Sequence, residues 1–371
     1  MAKLRVGVVG VGGMGQSHIK GIKEIDNVEL IAVADTFPVT AEKVGKEYNV
    51  PYYTDFNELL KRDDIDGITI ATPHPQHPVV AVAAAKARKH VFTEKPMAST
   101  VSDADKMIKA CRKAKVKLGV MYQQRTSPVF AEAKRMIAAG EIGDIFRVNM
   151  IATGVRTQAY YMSGAWRGTW DMEGGGVLLN QAPHAIDMIQ WLAGLPVRIT
   201  GHISTCMHKI DVEDAATAIF EYANGAHGCI QVNTIDSPGV NRYEICGTRG
   251  RMVIEGKLRV AVTKAPLDQF IYGDPKQWGS IEADWKDITP PERPSGHQIA
   301  IKEWAQAILD GVEPPVTGEE GRKSVEIANA IIMSSKKGKT VALPIRPREY
   351  DKVLAALIEE QKRNPKKPAM A

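Results

Sequence analysis

The sequence predicts an α/β protein in two parts: a doubly wound parallel sheet, then an α+β domain with a large, mostly antiparallel open sheet. Residues 3–121 alternate short β-branched runs with helical stretches, which is typical of repeated β-α units. A glycine-rich turn follows the first of these runs. Beyond residue 140, strand-like runs follow one another and are joined by tight turns, which indicates antiparallel pairing.

The length of 371 residues exceeds what one ordinary core holds, so we expect two domains. We predict their bounds as 1–124 and 125–345, followed by a terminal helix and a basic tail at 346–371. Apolar residues make up 44% of the chain and charged residues 25%, as in ordinary globular proteins. Since no run of eighteen apolar residues occurs, we expect no membrane segment.

The net charge of +5 is concentrated near the end of the chain. From Lys336 onward there are ten Lys/Arg and four Asp/Glu residues, so the remainder of the chain is close to neutral. A basic tail without a basic face does not predict nucleic-acid binding.

The four cysteines are far apart and form no C-x-x-C pair, so we expect free thiols in a reducing compartment. The first residues enter a strand at once and show no signal-peptide pattern, which favours a cytoplasmic protein.

His74 and His77 are the best candidate metal pair, but no third ligand lies nearby in the sequence, so we expect no metal site.

The segment 10–15, Gly-Val-Gly-Gly-Met-Gly, fits G-x-G-x-x-G between a strand and a helix, and Asp35 ends the next strand. Such a turn brings backbone N–H groups to a pyrophosphate, and the acid accepts hydrogen bonds from ribose hydroxyls. Because Asp35 would repel a 2′-phosphate and no arginine follows it, we predict a Rossmann domain that prefers NAD to NADP. The predicted cofactor contacts are Gly10, Gly12, Gly13, Met14, Gly15, Asp35, Thr72, Pro73, His74, His77, Glu94, Lys95 and Gln124.

In the second part, strand-like runs occupy 197–206, 214–222, 226–235, 240–246 and 251–255. Asn224-Gly225 predicts a hairpin turn, and Gly247-Thr248-Arg249-Gly250 predicts another. We expect a long loop at 264–295, a helix at 347–362 and a disordered end from Asn364. We expect helices on only one face of this sheet, so its other face needs a cover. Self-association is the usual cover, which favours a homo-oligomer.

Two stretches carry the candidate chemistry. Glu94-Lys95-Pro96 follows an apolar strand, where a doubly wound sheet presents ligand-facing groups. The triglycine 174–176 is predicted to open a helix on which Asn180 and His184, four residues apart, share one face. A lysine, a histidine and a nucleotide fold together suggest hydride transfer to or from a hydroxyl carbon. The pKa of His184 need move little from about 6.5 for the ring to be useful as an acid–base group.

With these motifs the sequence resembles the Gfo/Idh/MocA oxidoreductases over nearly its whole length. Further matching residues are Ala71-Thr72-Pro73 with His77, Gly140-x-Ile142-Gly143 and the block from Gly174 to Asp187. The resemblance implies a nucleotide domain beside a large open sheet, in dimers or tetramers, acting on a sugar, glycoside or polyol. It implies that His184 is the general base and that Lys95 orients or polarises the reacting oxygen.

The family commonly has an aspartate at the position of Asn180, where it relays the proton. An amide holds a hydroxyl but takes up no proton at neutral pH. The asparagine variant resembles members that act on glucosides and anhydro-sugars. The predicted substrate contacts are Asn180, Tyr122, Gln123, Arg125, Trp166, Arg167 and Asp187.

Alternatives remain open. Asp187 fits a role in fixing its helix or orienting His184 better than a reactive one, and Trp166 and Arg167 suit packing as well as a sugar face. An NAD-dependent glycoside hydrolase that oxidises its substrate transiently, a non-catalytic NAD-binding sensor, and reduction of a keto-sugar all fit the same motifs.

Overall fold

The structure, a computed structural model, describes residues 2–368, and these form two β-sheets. In the first sheet all strands pair in parallel, in the order β3-β2-β1-β4-β5-β6. The strands are β1 (Leu4–Val9), β2 (Val28–Ala34), β3 (Tyr52–Tyr53), β4 (Gly67–Ile70), β5 (His90–Thr93) and β6 (Leu118–Val120). The helices between them are α1 (Gly13–Lys23), α2 (Pro38–Tyr48), α3 (Phe56–Leu60), α4 (Gln76–Lys86) and α5 (Val101–Ala114).

Strands β1, β4 and β5 are buried on both faces, as their continuous apolar runs require in a sheet that is covered on both sides. The strand order reverses between β1 and β4. At such a reversal the helices diverge and leave a crevice beyond the carboxyl ends of the strands. Gly10, Ala71 and Glu94 follow the three strands at this edge, so the crevice collects the predicted cofactor residues.

The second sheet has the strand order β14-β13-β12-β11-β7-β10-β9-β8-β15. Within the described residues its pairs are antiparallel except β7 with β10. The strands are β7 (Ile145–Thr153), β8 (Arg198–Ser204), β9 (Ala215–Glu221), β10 (His227–Asn233), β11 (Asn241–Gly247), β12 (Gly250–Glu255), β13 (Lys257–Thr263), β14 (Ala283–Ile288) and β15 (Val341–Ala342). The helices are α6 (Pro128–Ala138), α7 (Gln158–Met162), α8 (Pro183–Ala193), α9 (Leu267–Gly273), α10 (His297–Leu309), α11 (Gly318–Lys337) and α12 (Pro347–Arg363). The predicted fold class is confirmed.

Both predicted turns are confirmed as hairpins: Asn224-Gly225 joins β9 to β10, and residues 247–250 join β11 to β12. The predicted long loop at 264–295 is wrong in part, since it contains α9 and β14. Strand β14 lies at the edge of the sheet and is almost wholly exposed, so its sequence lacks the alternation that marks a half-buried strand.

The helix predicted to start at the triglycine starts at Pro183 instead, and residues 174–182 form successive turns. Proline suits the first position of a helix because it lacks an N–H group, so it fixes this start. The predicted disorder from Asn364 is wrong for the described part of the tail: the backbone N–H of Lys366 donates to Asp211 Oδ1 at 2.6 Å. Residues 369–371 lie outside the described residues.

One face of the second sheet packs against α8 and α11. In β9, Ala216, Ala218 and Phe220 point into this core, while Ile219 on the opposite face is 55% exposed. The opposite face also carries Glu244, which accepts hydrogen bonds from Arg147, Arg242 and Arg251. The described helices include none with the length and apolarity needed to cross a membrane.

Helix α10 lies in the second half of the chain but packs against α1 and the first sheet. Its Trp304 is fully buried, with its ring centroid 5.3 Å from that of Phe92. A Cβ atom on Gly67 would lie 3.0 Å from the Trp304 ring, and one on Gly119 would lie 2.7 Å from it. These two glycines make room for the indole.

Replacing Trp304 by Ala removes the largest side chain of this core and leaves a cavity that the sheet cannot close. We expect the free energy of unfolding to fall by about 3–5 kcal/mol, measured by urea denaturation. Trp278→Ala is the control, because that indole is 87% exposed. Equal losses in the two variants would contradict the packing role of Trp304.

Candidate active site

The glycine turn after β1 leaves its backbone open to a ligand. Gly10 has φ +83°, and a Cβ atom on Gly15 would lie 1.9 Å from the carbonyl oxygen of Gly10, so both positions require glycine. Cβ atoms on Gly12 and Gly13 would meet nothing within 4 Å. Helix α1 begins at Gly13, and its free N–H groups and positive dipole end favour an anion such as a pyrophosphate.

Asp35 is held in place at the end of β2. Its Oδ2 accepts a hydrogen bond from the N–H of Val11 at 2.9 Å, and its Oδ1 accepts one from the N–H of Phe37 at 2.9 Å. The carboxylate is therefore fixed beside the glycine turn, with lone pairs left for further donors.

A cavity of about 810 Å³ runs along this edge of the sheet. Its volume lies in the range of cofactor and ligand sites. The predicted cofactor residues that line it are Gly10, Gly12, Gly13, Met14, Asp35, Thr72, Pro73, His74, His77, Glu94 and Lys95. Gly15 supports the turn from behind, and Gln124 lines a second pocket instead. The cavity is closed from the other side by Tyr160, Trp166, Arg167 and Asn180.

His74 and His77, which follow β4, are buried against backbone carbonyls. His77 Nδ1 lies 2.9 Å from Pro96 O and its Nε2 lies 2.8 Å from Thr72 O, while His74 Nδ1 lies 3.0 Å from Glu173 O. Burial lowers the pKa of His74 to about 3 and also lowers the pKa of His77. Both rings fix the turn that borders the cavity.

Lys95 connects the two parts of the protein at the cavity. Its Nζ donates a hydrogen bond to the backbone carbonyl of Asn180 at 2.9 Å. Burial lowers the pKa of Lys95, while the negative charges of Glu94 and Glu173 oppose that shift. Glu94 is itself bound to His18, with Oε1 2.8 Å from Nε2. The ammonium thus lies in a poorly solvated site between two carboxyl groups.

His184 lies one residue into α8, with its Nε2 3.4 Å from Gln123 Nε2 and its ring edge-on to Tyr122. Burial, and next the positive charge of Lys95, lower the pKa of His184 to about 3. This is a large shift from the ordinary 6.5, and the sequence does not reveal the desolvation that causes it. The imidazole is neutral at ordinary pH and is free to accept a proton.

A second pocket, of about 210 Å³, lies beside His184. Its polar lining residues are Gln124, Thr153, Arg156, Gln181, His184, Asn233, Thr234 and Asn241. Four buried atoms of its lining residues lack a hydrogen-bond partner within residues 2–368: His184 Nδ1, the Oε1 atoms of Gln124 and Gln181, and the hydroxyl oxygen of Tyr243. Buried acceptors without partners are rare in native proteins, and a ligand with several hydroxyl groups would satisfy them.

Three of the predicted substrate residues have hydrogen-bond partners inside the protein. Arg125 binds the fully buried Asp187 through two hydrogen bonds of 2.9 and 2.6 Å. Asp187 also accepts a hydrogen bond from Gln190, and within residues 2–368 no hydrogen bond joins it to His184. The Tyr122 hydroxyl is bonded to Ser324. None of the three lines either cavity, so we assign them to packing between α8, α11 and the segment after β6.

Trp166 and Arg167 line the large cavity, as one of the two interpretations of the sequence proposed. The Arg167 guanidinium carbon lies 4.3 Å from the centroids of both the Trp166 and the Tyr160 rings. Its Nη1 donates to the Tyr160 hydroxyl at 2.5 Å. Tyr160 was not among the predicted site residues, although it lies in the same aromatic loop.

Glu173 is the site residue that the sequence analysis missed. It is fully buried and accepts hydrogen bonds from the N–H of Gly168 at 2.6 Å and from the side-chain amide of Asn180. Burial raises the pKa of Glu173 to about 7. The available signal was an acid directly before the triglycine, but a sequence does not show that such an acid is buried.

The glycine turn, the long cavity lined by Lys95 and the second pocket lined by His184 define the class of a two-domain nucleotide-dependent oxidoreductase. Residues 4–122 match the family model described as "Oxidoreductase family, NAD-binding Rossmann fold", and residues 130–253 match the GFO/IDH/MocA C-terminal domain. The chain therefore belongs to the Gfo/Idh/MocA oxidoreductase family.

Similar proteins cover the chain almost completely. The levoglucosan dehydrogenase of Pseudarthrobacter phenanthrenivorans is 28% identical over 93% of this chain and 99% of its own. The scyllo-inositol 2-dehydrogenase (NAD(+)) of Bacillus subtilis is 25% identical over 93% and 97%. The crystal structure of the WlbA dehydrogenase from Bordetella pertussis in complex with NADH and UDP-GlcNAcA superimposes with a TM-score of 0.79, at 28% identity and covering 93% of this chain and 100% of that one.

Replacing Asn180 by Asp would put a carboxylate against the carboxylate of Glu173. We expect a loss of about 1–3 kcal/mol in stability. The loss should be larger at pH 8 than at pH 6, because at the lower pH the two groups share a proton. Thermal unfolding at the two pH values measures it.

The double variant Glu173→Gln with Asn180→Asp exchanges donor and acceptor and should recover most of this stability. A loss that is equal at both pH values, or a double variant no more stable than Asn180→Asp, would show that the two side chains do not pair.

Proposed function

We propose that this protein is an NAD-dependent dehydrogenase that oxidises a hydroxyl carbon of a sugar, glycoside or polyol. The observation that carries the proposal is the convergence of Lys95, Asn180 and His184 between the long cavity and a pocket with four unpartnered polar atoms. A nucleotide and a polyhydroxylated substrate are the two ligands that suit these neighbouring spaces.

The dinucleotide fits the residues of the long cavity. The open backbone at Gly12 and Gly13 and the start of α1 suit the pyrophosphate, and the fixed carboxylate of Asp35 suits ribose hydroxyls. The same carboxylate disfavours a 2′-phosphate, and its neighbours on the cavity wall, Thr36 and Phe37, carry no positive charge. We therefore propose NAD over NADP. The bound nicotinamide supplies the acceptor for the hydride.

His184 is proposed as the general base. The ring is neutral at working pH and its Nδ1 has no hydrogen-bond partner within the described residues, so it has a lone pair free for the hydroxyl proton, while burial lowers its basicity. Lys95 uses one N–H to hold the Asn180 carbonyl and keeps its remaining donors for the reacting oxygen. The cationic lysine also disfavours a lasting imidazolium, so the proton that His184 accepts has to pass on to the polar pocket or to solvent.

The substrate class is inferred from relatives and from the pocket. Levoglucosan is an anhydro-sugar and inositol is a polyol, and the relatives named for them resemble this chain to a similar degree. The amide of Asn180, which takes up no proton, is consistent with our preference for a glucoside or an anhydro-sugar.

We also propose that the protein is cytoplasmic and associates as a homodimer or homotetramer through the open face of its second sheet.

The test of this function is a panel of monosaccharides, glucosides, anhydro-sugars and inositols with NAD+ or NADP+, followed by NADH absorbance. We expect NADH formation with at least one member, and a higher kcat/KM with NAD+ than with NADP+. Aglycone release from aryl glycosides without net NADH would favour a hydrolase. No absorbance change with any compound would reject the dehydrogenase.

Replacing Lys95 by Ala should lower kcat by about a hundredfold or more, because the reacting oxygen loses its charged donor. The affinity for NADH should change little, since the glycine turn and Asp35 are intact. Initial rates and NADH fluorescence titration measure the two effects. Lys46→Ala, at an exposed ion pair on α2, is the matched control. Normal turnover in Lys95→Ala would disprove the assignment.

A further inference from the structure

The end of the chain is bound to the back of the loop that carries Trp166 and Arg167. The ammonium of Lys367 donates to three backbone carbonyls of this loop, those of Gly164 at 3.0 Å, Ala165 at 3.3 Å and Arg167 at 2.5 Å. An ammonium has three N–H donors, so these contacts use all of them.

Two further contacts hold the same region. The side chain of Gln361, in the last turn of α12, accepts from the N–H of Trp170 at 2.5 Å and donates to Asp171 Oδ1 at 2.9 Å. The N–H of Lys366 donates to Asp211, whose carbonyl oxygen accepts from the Trp170 indole at 2.8 Å. The tail therefore binds the loop at both ends, at 164–167 and at 170–171.

The opposite side of this loop faces the dinucleotide cavity. The Trp166 ring lies 5.4 Å from the ring of His74, and Trp166 and Arg167 both line the cavity. Carbonyl groups of an irregular loop need partners, and here the tail provides three of them. Without the tail, the loop keeps its inner contacts, among them the hydrogen bonds from Gly168 to Glu173, from Asp211 to Gly168 and from Arg167 to Tyr160, and the stacking of Arg167 on two rings.

We propose that residues 361–367 act as a clamp that positions the 164–171 loop over the cofactor cavity, with Lys367 as the principal positioning residue. The expected effect of the clamp on the KM for NAD+ rests on the proposed function. The clamp acts on how tightly ligands are held and not on the chemistry at Lys95 and His184, since residues 361–367 make no hydrogen bond or ion pair with either residue.

The experiment compares Lys367→Ala with Lys366→Ala. The two lysines are adjacent and carry the same charge, but the side chain of Lys366 makes no hydrogen bond or ion pair within the described residues. We expect Lys367→Ala to raise the Kd for NADH and the KM for NAD+ by about tenfold, equivalent to the loss of one or two hydrogen bonds. The value of kcat should change much less. Lys366→Ala should behave as the wild type.

A second measurement needs no activity. Trypsin cleavage after Arg167, followed by peptide mass spectrometry of the protein without ligand, should be faster in Lys367→Ala and unchanged in Lys366→Ala. Lys367 precedes Pro368, a bond that trypsin does not cleave, so Lys367→Ala keeps every tail cleavage site of the wild type, and the wild type is its matched reference. A chain ending at Arg363 should reproduce Lys367→Ala in both measurements.

Equal Kd values and equal cleavage rates in the two lysine variants would overturn the clamp. An absence of NADH formation from every compound in the wild type would instead reject the proposed function, because NADH binding and proteolysis still report the clamp. The two failures are therefore distinguishable.

Discussion

The hydrogen bond from the Lys95 ammonium to the carbonyl oxygen of Asn180 is the contact on which the site depends. It joins the carboxyl end of β5 to the turns before α8, and so connects the two sheets at the cavity. The lysine is fixed by its position directly after a buried strand, and the carbonyl is available because residues 174–182 do not continue α8 backwards. Had the helix begun at the triglycine, that carbonyl would have been used within the helix.

Burial of charge sets the chemistry around this contact. Desolvation lowers the pKa of both Lys95 and His184, and each positive charge would further disfavour the other. The carboxyl groups of Glu94 and Glu173 act in the opposite direction and make a charged Lys95 tolerable in a poorly solvated place. The site therefore keeps a cation beside a neutral imidazole, and the same burial that keeps His184 neutral also lowers its basicity.

Much of the fold and part of the site could be predicted from the sequence because their signals are local. The glycine turn, Asp35 and the residue pair Lys95 and His184 depend on neighbours within a few positions and on where strands end. The edge strand β14, the partners of Arg125 and Asp187, and the bound tail depend on contacts between distant segments, which a single sequence does not encode in any readable pattern. The pKa of His184 belongs to the same group, because desolvation is a property of packing.

Glu173 and Asn180 show how one such distant contact changes the meaning of a motif. Both oxygens of the buried Glu173 carboxyl are occupied as acceptors, one by the N–H of Gly168 and one by the Asn180 amide. The residue at position 180 therefore has to supply a donor, which an ionised aspartate cannot do. The asparagine does not leave this site without a carboxyl group. This carboxyl group, that of Glu173, lies behind the Asn180 amide and does not line the long cavity. Burial raises its pKa to about 7. The residue types at 173 and 180 are thus coupled, and each is understood only with the other.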